Sequence, residues 1–139
     1  MVLAGLMVAL VAQAGEIKIE STLIWGTNEE KSPNPLHRPV NPEMSQKLAR
    51  MFKWKNYFQE KRVVQVVPAK SSKRFRMSPK CEIEITELDG PKVEVKLYGE
   101  GKWVNTTTKP LKKGDFLTIG GDDKGGNSWF VIITLLEEK

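Results

Sequence analysis

The spacing of hydrophobic residues changes twice along this chain. Val2 to Val11 is an almost unbroken apolar run, Glu16 to Glu20 alternates polar with apolar before Thr22-Leu23-Ile24-Trp25, and Met44, Leu48, Met51 and Phe52 fall at helical intervals. Alternation predicts a half-buried strand, whereas an i, i+4, i+7, i+8 repeat predicts an amphipathic helix. Beyond the helix the pattern is strand-like to the end. Candidate strands cover about 57–67, 73–77, 81–87, 92–98, 102–107, 115–119 and 128–136, punctuated by Ser-Ser, Ser-Pro, Asp-Gly, Lys-Gly-Asp and Gly-Gly. Short strands at such spacing predict a mainly β fold, an antiparallel β-sandwich (immunoglobulin-like or related) with one short helix.

The helix carries its own start signal. Asn41 suits the N-cap, Pro42 the first helical position, and Glu43 the positive end of the helix dipole. The expected helix spans 42–52, roughly three turns. Met44, Leu48, Met51 and Phe52 should face the core, and Lys47, Arg50 and Lys53 should complement the C-terminal carbonyls. It is expected to cover an edge or one end of the sandwich. Asn28 to Asn41, with Pro33, Pro35 and Pro39, reads as a loop across the outside of the domain.

One hairpin can be taken to register. Cys81, Ile83 and Ile85 alternate with Glu82 and Glu84, as Val93, Val95 and Leu97 alternate with Glu94 and Lys96. Opposed residues share a face, so the apolar sets must oppose each other. A three-residue Leu88-Asp89-Gly90 loop achieves this by pairing Ile85 with Val93, with Gly90 in left-handed backbone, and sets Glu84 opposite Glu94. A longer loop pairing Ile85 with Val95 relieves that repulsion. The shorter loop is favoured.

The apolar run at the start is not read as part of this fold. Ala12-Gln13-Ala14 places small residues at the two positions a signal peptidase needs, so residues 1–14 are expected to be a signal peptide and 15–139 a single domain. The positive end of such a signal comes from the amino terminus alone, because no Lys or Arg precedes the run. About 13 apolar residues make ~20 Å of helix, short of the ~30 Å hydrocarbon core. Left uncleaved, the segment would tether the domain to a membrane. No later run approaches spanning length. The expected location is outside the cytosol: periplasmic, cell-surface or extracellular. Cys81 is the only cysteine, so the domain must hold together by packing without an internal disulfide.

Charge adds a candidate surface. The chain has a formal net charge of +5, yet Lys47 to Lys80 holds eleven basic residues and one acid, Glu60. That segment is therefore +10, and the remainder −5. Trp54, Tyr57, Phe58 and Phe75 are interleaved with Lys53, Lys55, Arg74 and Arg76, a pattern suited to gripping an anion and stacking on it. No nucleic-acid-binding signature accompanies it, and export removes the chain from most nucleic acid. The anions left are envelope polysaccharide, lipid headgroups or an acidic protein face. A solvated basic face with inward aromatics is the plain alternative.

Catalytic chemistry finds little support. His37 is the single histidine, so no zinc site of the usual ligand count forms without several carboxylates. No metal or cofactor is expected. A Cys81–His37 nucleophilic pair is weighed against a packed thiol on the apolar face of a strand, and the packed thiol is favoured. No G-x-S-x-G elbow is present. Glu82 and Glu84 read as a wet strand face, and the Gly120–Asn127 stretch as a hairpin. Trp25 and Trp129 read as core residues, leaving Trp54 and Trp103 as candidates for stacking on sugars.

Thr22-Leu23-Ile24-Trp25-Gly26-Thr27-Asn28, Phe52-Lys53-Trp54-Lys55-Asn56-Tyr57-Phe58 and the closing Gly120-Gly121…Trp129-Phe130-Val131 resemble small exported proteins of planctomycete- and verrucomicrobial-type bacteria. The resemblance implies a bacterial envelope location and assigns no activity or functional residue. The expectation is therefore a non-enzymatic envelope binding domain using Lys53, Trp54, Lys55, Arg74, Arg76 and Trp103 toward an envelope protein or an anionic polysaccharide or lipid surface. A carbohydrate-binding module and a secreted hydrolase are the alternatives.

Overall fold

Alternation of buried and half-buried residues along each strand builds two sheets that close on one core. The computed structural model describes residues 15–32, 34–88, 92–122 and 127–138; the expected signal segment and the Asp89-Gly90 turn lie outside them. The elements are β1 (Ile17–Thr27), β2 (Arg38–Pro39), α1 (Pro42–Met51), β3 (Asn56–Val67), β4 (Ser72–Ser78), β5 (Cys81–Glu87), β6 (Lys92–Gly99), β7 (Lys102–Pro110), β8 (Phe116–Asp122) and β9 (Ser128–Glu138). One sheet has the order β2-β3-β1-β9-β8, the other is the meander β4-β5-β6-β7, and their pairings are antiparallel. Ile19, Leu23, Val131 and Ile133 from the first meet Met77, Ile83, Ile85, Val95 and Leu97 from the second. Among the described residues this is the mainly β, two-sheet sandwich with one short helix that the pattern predicts.

The helix lies elsewhere than expected. Its start is as read: the Asn41 side chain accepts from the Met44 N–H at 2.8 Å, with Pro42 leading. Leu48 is fully buried against Ile24, Tyr57, Phe130 and Ile132, with Met44 and Phe52 beside it. Those strand residues alternate with the sandwich core, so α1 covers the outer face of the five-stranded sheet rather than an edge or an end. Met51 is 53% exposed. Phe52 ends the helix in extended backbone and stacks on Phe130 at 4.5 Å instead. Burying Leu48 contributes about 1.5–3 kcal/mol. Within the expected loop, Arg38 and Pro39 form a two-residue strand opposite Gln59 and Phe58.

The favoured hairpin register is overturned. Ile85 pairs with Val95, Ile83 with Leu97 and Cys81 with Gly99, the register of the longer loop. Electrostatics explain the choice: Glu84 now opposes Lys96 rather than Glu94, while the apolar sets still share a face. Among the described residues, no helix is long and apolar enough to cross a membrane.

Candidate functional site

Among the described residues, two places gather chemistry-bearing side chains. The first is the outer face of the four-stranded sheet. Along β4, Phe75 and Met77 pack toward the core, which turns Arg74 and Arg76 outward. Glu82 on β5 receives both: Arg74 Nε donates to Oε2 at 2.9 Å and an Arg76 terminal nitrogen to Oε1 at 3.1 Å. Hydrogen bonds from Arg74 and then Arg76 hold the Glu82 carboxyl below its ordinary range. The Arg74 guanidinium also sits 4.0 Å from the centre of the Tyr98 ring. Tyr98 is opposite Glu82 on one side and Trp103 on the other. Trp103 is 62% exposed and donates its Nε1–H to Thr106 Oγ1 at 2.8 Å. Guanidinium, carboxylate, phenol and indole thus form one row across four strands.

The sequence-derived set is divided by the fold. Arg74, Arg76 and Trp103 share this row. Lys53, Trp54 and Lys55 lie beyond the opposite sheet, after α1. Trp54 is half-buried with the helix cluster, Lys53 Nζ stands 5.1 Å from its ring, and the Lys55 N–H donates to Asn28 Oδ1 at 3.1 Å. The two triplets flank opposite faces of the sandwich and cannot make one contact surface. Nor is the +10 stretch one patch, since folding brings Glu82 to Arg74 and Arg76, Glu20 to Arg62 and Glu43 to Lys47. Tyr98 was missed because the favoured register sets Lys96, not Tyr98, opposite Glu82.

The second place is a cavity of about 500 Å³ at the end bearing the β4–β5 and β6–β7 turns. Leu23, Trp25 and Trp129 line it from the five-stranded sheet, Cys81 and Gly99 from the other, His37 lies buried in its side, and the exposed Glu60, Lys80 and Glu100 reach its rim. Three register shifts converge here. Glu60 is extra between β1 and β3, Met77 between β4 and β5, and Val104 between β6 and β7. Each bulge bends its strand at this end of the sandwich, and Glu60 itself lines the cavity.

His37 is clamped from both sides. Its Nδ1 is 2.7 Å from Ser32 Oγ and its Nε2 3.0 Å from Glu60 Oε1, and its ring is 5.8 Å from that of Trp25. The order Ser32–His37–Glu60 is that of a hydrolytic triad. Ser32 does not line the cavity, however, and its oxygen also accepts from the Asn34 N–H at 3.1 Å. The chain fastens the loop to β3. Cys81 shares the cavity wall, but burial first, then Glu60 and Glu82, push its thiol up to about 11. A thiol held protonated is a poor nucleophile. Among the described residues, no three His, Cys, Asp or Glu side chains converge on a metal position.

Comparison of the chain with protein families, curated proteins and solved structures found no match.

Proposed function

We propose that this protein is an exported, non-enzymatic binding domain of the bacterial envelope, and that the outer face of its four-stranded sheet recognises an acidic polysaccharide. The observation that carries this reading is the row Arg76, Arg74, Glu82, Tyr98 and Trp103. Glu82 ties down two guanidinium groups that would otherwise lose rotamer freedom on binding, and Tyr98 supports one of them from beneath. Each arginine keeps donors free of Glu82 for a carboxylate. Trp103 offers an exposed aromatic face for a sugar ring. An extended chain of charged sugars matches a flat strip that alternates planar cations with aromatic rings. A membrane surface would instead favour a dense cluster of cations, and here Glu82 offsets one of the two.

Affinity electrophoresis tests this directly. Migration should be retarded in gels containing polygalacturonate and unaffected by a neutral glucan, with the retardation lost at high salt. The Arg74→Gln, Arg76→Gln double variant should abolish it, and Trp103→Ala should weaken it by about tenfold. Retardation by neutral glucan that survives the double variant would replace this reading with a module for neutral carbohydrate.

A further inference from the structure

We propose that the cavity between the sheets is a second binding site, and that its ligand is a small amphiphilic amine, with an apolar body against Leu23, Trp25 and Trp129 and a protonated nitrogen at Glu60. The volume of about 500 Å³ falls within the ~300–1,000 Å³ typical of small-molecule sites. Its inner wall is aliphatic and aromatic, so a ligand body gains from leaving water.

The rim decides the head group. Among the residues lining the cavity, Glu60 and Glu100 face one lysine, Lys80, a formal excess of one negative charge with His37 neutral. Glu60 commits Oε1 to His37, and among the described residues Oε2 has no hydrogen-bond partner. Ser32 holds the other edge of the imidazole, so His37 is not placed to occupy both oxygens. The Trp25 ring beside His37 adds a π face to which a cation is attracted. The field of Glu60 is felt on the opposite wall, where it raises the Cys81 thiol further above the level that burial sets. Arg74, Arg76, Tyr98 and Trp103 do not line this cavity, so the site is independent of the polysaccharide strip.

Cys81, the sole cysteine, is a built-in reporter on the cavity wall. The intact protein is titrated with octylammonium, octanol and octanoate. Tryptophan emission reports binding, and the rate of Cys81 alkylation by N-ethylmaleimide reports occupancy. Octylammonium should bind about tenfold more tightly than octanoate and slow alkylation by a similar factor at saturation. Glu60→Gln should erase the preference for the amine while leaving octanol binding intact, and Trp129→Ala should weaken all three. If Glu60→Gln disturbs the circular dichroism spectrum, Glu100→Gln serves instead, with a smaller loss of about threefold. Octanoate binding as tightly as the amine, or octylammonium leaving tryptophan emission unchanged, overturns the proposal.

Discussion

The indole of Trp54 stands where a side chain on Gly26 would be: a Cβ there would lie 2.7 Å from Trp54 Cδ1 and 3.2 Å from Tyr57 Cε1. This contact seals the outer core where the chain leaves α1. Gly26→Ala should therefore destabilise the fold by about 1–3 kcal/mol, read as a lower urea midpoint. Pairing it with Trp54→Ala should recover part of that loss in a double-mutant cycle.

Ser21 presents the opposite case. Its residue is fully buried in β1, and its Oγ has no hydrogen-bond partner among the described residues. An unsatisfied buried hydroxyl costs about 1–3 kcal/mol. Ser21→Ala should raise the thermal midpoint by a few degrees, as followed by circular dichroism.

Glu82 should titrate below the ordinary glutamate value of about 4.3. Its folded pKa is depressed, so its contribution to stability is present above the unfolded value and is lost as pH falls through the folded one. A carboxyl-carbon NMR titration should show the low midpoint, and Arg74→Gln should move it upward.

For Cys81 the sign reverses. Its folded pKa is raised from 9.0 to about 11, so the folded state retains a proton that the unfolded state releases. Stability is full below 9.0 and declines as pH rises toward about 11. Tyr57, also raised by burial, contributes in the same direction. Denaturant titrations of the protein and of Cys81→Ala across this range should differ in slope, with the steeper fall in the parent.

The apolar run and Ala12-Gln13-Ala14 predict processing before Gly15. Mass spectrometry of the protein recovered from its native cells should show a chain lacking residues 1–14.

The strands and the helix were legible because each depends on local periodicity: the Asn41 cap and the Cys81–Glu87 alternation need no distant partner. What escaped were relations between elements. The β5–β6 register turned on Glu84 choosing Lys96 over Glu94, a difference of a few tenths of a kcal/mol. With that register came Tyr98, and with Tyr98 the strip beside Arg74. Linear proximity also misled. Trp54 and Arg74 belong to one basic segment but flank opposite sheets, because β3 passes through the five-stranded sheet before the chain crosses to β4. The cavity had no sequence signal, since bulges at Glu60, Met77 and Val104 leave the alternation around them almost undisturbed.

The place of β1 between β3 and β9 gives the two sheets contacts of very different range along the chain. The meander of β4 to β7 joins neighbours in sequence and can zip up as it is made. The five-stranded sheet depends on distant pairing, because the strand at its centre takes a partner more than a hundred residues away. Until β9 arrives, β1 keeps one edge open and β8 has no strand to join. The chain therefore cannot complete the five-stranded sheet until β9, the last of the described strands, is available to close the free edge of β1.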